Sequence, residues 1–228
     1  ISITDLASSV GAAAPRVMGT SLKDRSAILP VGRGADAPYW WHTPSGRFVS
    51  STYYFDAAPD WVLKFNDRKP ADTHAGASWT ALATPSAALR SLPVEPGPSL
   101  YDAVYGSPFG NELLLAFADE VLTRERLGQR SVTDLLSVSF SSNDSVGHTY
   151  GPDSPQVRDM AVRTDRAIGA LLNRIDKLVG LQHTLVALTT DHGVAPMPEA
   201  LAARALPGGR LTTKQLFDTI EQAPATRF

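Results

Sequence analysis

The chain has 228 residues, 43% of them hydrophobic, a formal net charge of −2 and no cysteine. This suits one globular domain, or one domain with an insertion, with a sizeable core. It excludes disulfides and thiolate metal sites, and it gives no general attraction to nucleic acid or anionic membrane. The longest apolar runs, such as LLLAFA at 113–118, are far too short to span a bilayer.

Residues 4–14 carry a weak helical pattern. Residues 16–22, RVMGTSL, read as a short strand that leads into Lys23, Asp24 and Arg25. Residues 39–54 read as an aromatic hairpin around the turn 43–46. Residues 59–66 suit a short helix with proline at its first turn. From 67 to 108 proline and glycine dominate. The whole stretch 26–108 is expected to leave the sheet and form a smaller, irregular cap insertion beside it. Residues 111–126 return to a helix, with Asn111 as cap and Gly128 as stop.

Residues 135–140, LLSVSF, form a buried strand that breaks into the turn formers SSND. Asp144 and His148 follow on an irregular loop. The clearest helix runs over 155–179, capped by Ser154 and stopped by Gly180. A second apolar strand, TLVALTT at 184–190, ends in Asp191, His192 and Gly193. Two more helices are expected over 199–206 and 213–222. Helix and strand alternate, which argues for a parallel sheet covered by helices. In such sheets ligands bind beyond the carboxyl ends of the strands.

Two strands therefore each deliver an Asp–His pair to one edge. Carboxylate and imidazole together suit zinc or another borderline divalent ion. Two ions a few ångströms apart would clamp the attacking and leaving oxygens of a phosphoryl transfer. A lone aspartate after a strand is more often a cap, and a lone histidine more often exposed or hydrogen-bonded in a core. The two motifs together favour metal. His42, His74 and His183 read as structural or exposed. Trp40, Trp41, Tyr53 and Tyr54 read as packing rather than as a base-stacking platform. Lys23 and Arg25, taken alone, read as a solvated pair around Asp24.

The segments SSNDSVGHTYGPDSP and LTTDHGVAPMPE resemble the alkaline phosphatase superfamily. VMGTSLKDRSAILPVG, YWW, GRFVSSTYY and PDWVLKFN are similar to its bacterial periplasmic phosphate-monoesterase branch with a threonine nucleophile. Type I phosphodiesterases and nucleotide pyrophosphatases are related to that branch. The resemblance covers residues 3 to 199. It implies a doubly wound, mainly parallel α/β sheet, two zinc ions, small phosphate esters as substrates and a periplasmic or secreted location. It assigns Asp144 and His148 to one zinc, and Asp191 and His192 to the other. It assigns Lys23 and Arg25 to the phosphoryl oxygens, where two cations suit a monoester dianion.

The family's first aspartate ligand and its threonine or serine nucleophile lie upstream of the region matching Ile1. Its third histidine ligand lies downstream of Asp-His-Gly, and no histidine follows His192. Residues 1–228 are therefore expected to be the middle of one α/β domain, inactive alone and with weak or absent zinc. A phosphodiesterase or nucleotide pyrophosphatase is the second reading. A non-catalytic phosphate- or metal-binding remnant is the third.

Overall fold

In the computed structural model, which describes residues 14–83 and 88–225, the fold is organised by the strand β1 (Val17–Ser21), every residue of which is buried. The strand β6 (Leu135–Ser139) runs parallel to it in register, with Ser21 opposite Ser139. On the other side lies β2 (Ala37–His42), also parallel, reached through the short helix α1 (Asp24–Ile28). β2 turns back at Gly46, in the left-handed region at φ +65°, into the antiparallel β3 (Arg47–Val49). The order is β3-β2-β1-β6. This is the mainly parallel sheet expected. The helical pattern over 4–13 lies outside the described residues.

One expectation is corrected here. The sheet continues into the 26–108 stretch, because β2 is a parallel strand within it. Ala37, Tyr39 and Trp41 alternate onto a buried face, as a strand requires. Pro38 and the glycines before it disguise that period. The chain leaves the sheet only after β3. It then forms α2 (Asp60–Asp67), a 3-10 turn (Pro70–His74), and a separate hairpin of β4 (Ser78–Thr80) and β5 (Ala88–Ser91). The helix α3 (Pro98–Tyr105) follows.

The helix α4 (Pro108–Arg124) supplies the centre of the core. Phe117 stacks on Phe48 at 3.9 Å between ring centroids and meets Tyr39 and Phe65 edge-on. Burying such a ring contributes about 3 kcal/mol. α4 starts three residues earlier than expected, with Pro108 in its first turn and Ser107 extended before it. Asn111 is therefore not a cap but a buried residue of the first turn.

The long helix α6 (Pro155–Leu178) packs along α4 after an intervening helix, α5 (Ser142–Tyr150). Ser154 Oγ accepts from Val157 N at 3.2 Å, and Gly180 follows the stop at φ +92°. Asp159 of α6 holds the β4–β5 hairpin: its carboxylate accepts from Trp79 Nε1 at 2.7 Å and Leu82 N at 2.6 Å.

Two further corrections concern the strand ends. Residues 142–150 are a helix, not an irregular loop. Serine, asparagine and aspartate favour a helix start as readily as a turn. Here the backbone closes helically, with Asn143 N donating to Phe140 O and Ser145 N to Ser141 O. Residues 184–190 are extended but pair with no strand. Leu185 is 96% exposed and Leu188 82%. A strand needs a hydrogen-bonded neighbour, and among the described residues this segment has none. The chain ends in α7 (Pro198–Ala203) and α8 (Thr213–Ala225).

Candidate metal and phosphate site

β1 and β6 finish side by side at Ser21 and Ser139, and this sets the position of the residues beyond them. Ser21 Oγ donates to Ser139 O at 3.1 Å and lies 2.6 Å from Ser141 Oγ, which is left as the donor. Ser21 Oγ also accepts from Lys23 N at 3.2 Å. The two strand ends are thus laced together. Lys23, two residues past β1, comes to the same edge as Asp144, five residues past β6.

Asp144 and His148 are four apart on α5, so they share one helical face. His148 Nε2 lies 3.0 Å from Asp144 Oδ1. His192 arrives from the segment after 190, its Nε2 3.6 Å from the same oxygen. Ligand atoms of Asp144, His148 and His192 all fall within 4.8 Å of one another. Four-coordinate zinc with bonds of ~2.0–2.1 Å sets its ligand atoms roughly 3.3 Å apart, so the three side chains would have to draw together to close on one ion.

Two details favour a cation here. Asp144 Oδ1 is shielded from water and accepts no hydrogen bond among the described residues. His192 Nδ1 donates to the Gly193 carbonyl at 2.9 Å, which in the neutral ring leaves the lone pair on Nε2. That bond, with Asp191 beside it, raises the His192 pKa. One carboxylate and two imidazoles are a donor set for zinc and similar ions.

Asp191 is not part of the cluster. Its side chain is 82% exposed and lies 3.5 Å from His192 only. Lys23 Nζ forms an ion pair with Asp144 Oδ2. Partial burial works to raise the Asp144 carboxyl, but the Lys23 hydrogen bond and charge together with His148 and His192 outweigh it and hold the group below its usual range. Burial likewise works against the Lys23 ammonium, and Asp144 with Tyr105 more than compensates. Arg25 is exposed on the first turn of α1 and makes no ion pair among the described residues. The expectation that Lys23 and Arg25 project together from extended backbone therefore fails. Lys23 is the last extended residue and Arg25 is already helical, about 200° further round the turn.

His42 is exposed and bonded to Ser45, and His74 stacks on Phe109 at 4.7 Å. Trp41 is buried against Phe48 and Tyr101. Sequence reasoning missed the residues that support the cluster. Asn111 Nδ2 donates to Asn143 Oδ1 at 2.8 Å and to Thr164 Oγ1 at 3.0 Å, which fixes the residue before Asp144. An asparagine near the start of a largely apolar helix, PFGNELLLAF, was the available signal. Gly147 lies under Val194: a Cβ there would come 2.7 Å from Val194 Cγ2. The bare helix surface thus lets the 191–194 segment settle beside α5.

The model of the type I phosphodiesterase / nucleotide pyrophosphatase family matches residues 10–228. Alkaline phosphatase PhoV of Synechococcus elongatus is 35% identical over 224 residues, covering 89% of this chain and 40% of its own length. Alkaline phosphatase PafA of Elizabethkingia meningoseptica is 34% identical over 85% of this chain and 40% of its own length. The crystal structure of wild-type PafA superposes with a TM-score of 0.76 at 30% identity, over 92% of this chain and 44% of that one. The chain spans about two fifths of the length of these curated relatives.

Proposed function

The chain belongs to the type I phosphodiesterase / nucleotide pyrophosphatase family, and we propose that it is the central part of a periplasmic or secreted, zinc-dependent phosphate monoesterase of the alkaline phosphatase kind. The observation that carries this reading is the convergence of Asp144, His148 and His192 with Lys23 at one edge of the sheet. The likeness to PhoV and PafA, both alkaline phosphatases, supports the same direction. In this reading Asp144, His148 and His192 would hold zinc, and Asp191, which lies outside that cluster, would have to turn inward to join His192 on a second ion. When bound, the ions supply Lewis acidity to the phosphoryl oxygens. Lys23 would bind those oxygens as a point charge, while Arg25, exposed on the first turn of α1, does not share its direction. The nucleophile, a threonine by family resemblance, comes from outside this chain. Tyr105, at the end of α3, interacts with Lys23.

The test uses the full-length protein on p-nitrophenyl phosphate and bis(p-nitrophenyl) phosphate. A clear monoester preference, lost on chelation and restored by zinc, is expected. Preference for the diester would favour the second reading, a phosphodiesterase, which the family model's own description supports. Lys23→Ala should lower monoester kcat/KM by about 10²-fold, roughly 3 kcal/mol of transition-state stabilisation, and diester hydrolysis much less, whereas Arg25→Ala should have a smaller effect. Equal losses on both substrates would remove the support for a monoesterase.

Gly147 offers an independent check on the geometry. Gly147→Leu should push Val194, and His192 with it, away from α5. Zinc affinity, measured by chelator competition, should fall about 10- to 100-fold with the circular dichroism spectrum unchanged. Unaltered affinity would detach the 191–194 segment from the metal site.

A further inference from the structure

The two oxygens of Asp144 are divided between different partners. Oδ2 carries the Lys23 ammonium, while Oδ1 faces His148 and His192 and accepts no hydrogen bond among the described residues. Both side chains of the ion pair are partly shielded, with 31% of Lys23 and 21% of Asp144 exposed, so water screens the pair incompletely. An ammonium on one oxygen offsets the negative charge that draws a cation to the other. It also stands close to where that cation would sit, and like charges at such range repel.

The backbone of Lys23 is held at the end of β1 by the bond from Lys23 N to Ser21 Oγ. Its four-carbon side chain can swing about that anchor. Tyr105, at the end of α3, interacts with the ammonium and helps to hold it on Asp144.

We propose that Lys23 is a competing counter-ion at the metal site: it occupies Asp144 until a divalent cation takes that carboxylate, and only then becomes available to the phosphoryl group. Metal and phosphate binding are thereby ordered, metal first. The proposal rests on the reading of Asp144 as a metal ligand.

Zinc titration of the stripped full-length protein against a chromophoric chelator tests the competition. Lys23→Met should bind zinc about tenfold more tightly than wild type, the scale of one charge-assisted hydrogen bond. Lys23→Gln, which keeps the length and polarity, should behave alike. Lys64→Met, an exposed lysine on α2, should match wild type. Calorimetry with inorganic phosphate tests the release. Lys23→Met should equal wild type in the stripped protein and bind phosphate about tenfold more weakly once zinc is loaded. Unchanged or weaker zinc binding in both Lys23 variants overturns the proposal, as does an equal loss of phosphate affinity with and without zinc. Zinc uptake by wild type with no gain in the variants rejects this inference alone. No uptake by wild type rejects the metal site as well.

Discussion

Asp144→Ala in the full-length protein should abolish stoichiometric zinc binding and lower kcat/KM for a phosphate monoester by about 10³-fold or more, roughly 4 kcal/mol. Asp144 is the junction of the site. It is the carboxylate that His148, His192 and Lys23 all address. Its removal takes away an anionic ligand and leaves the Lys23 ammonium facing two imidazoles with no counter-charge. Zinc analysis together with steady-state kinetics checks both halves of the expectation. Activity within tenfold of wild type would place the catalytic centre elsewhere. Thermal unfolding should change little, since the side chain is in contact with water at the sheet edge.

The largest effect on stability should come from Asp159→Ala. This side chain is only 3% exposed. It accepts hydrogen bonds from Trp79 Nε1, Leu82 N and Arg163 Nε, the last at 2.7 Å. Removing it strands a buried indole donor and a half-buried guanidinium together. The expected cost is about 3–5 kcal/mol in denaturant unfolding. Asp159→Asn keeps an acceptor and should cost less. A loss below about 1 kcal/mol would show that the β4–β5 hairpin is held by packing alone.

The pH dependence of this tie has a definite sign. Burial works to raise the Asp159 carboxyl, but the Leu82 amide, the Trp79 indole and Arg163 together hold it below its ordinary value. Its contribution is therefore present above the unfolded pKa of ~3.9 and is lost as pH falls through the folded value. The hairpin should loosen in acid and be indifferent between pH 5 and 8.

The sequence shows what is local and hides what depends on pairing. β1, β6 and α6 each carry their period within a single window, and Ser154 and Gly180 punctuate α6 as they would any helix. β2 is concealed because Pro38 and the glycines around it look like loop, while its strand character depends on β1 lying beside it. Residues 184–190 mislead for the converse reason. TLVALTT has every strand propensity, but a strand is a property of two segments, and among the described residues the second is lacking. The i,i+4 spacing of Asp144 and His148 is plain in the sequence, yet serine, asparagine and glycine between and before them also make turns. Nothing local announces that Lys23 meets Asp144, 121 positions away. That contact comes from the in-register pairing of β1 with β6. Nor can His192 be placed without the bare surface of Gly147.

The bare segment 184–190 has a consequence for handling the molecule. Thr184 to Thr190 contains neither charge nor proline, and Leu185, Val186 and Leu188 face water. The outer side of β6 likewise lacks a partner among the described residues. Segments of this kind are templates for intermolecular cross-β growth. Preparations of this chain should therefore lose colloidal stability before they lose their fold, with turbidity rising steeply with concentration while Trp79 stays buried.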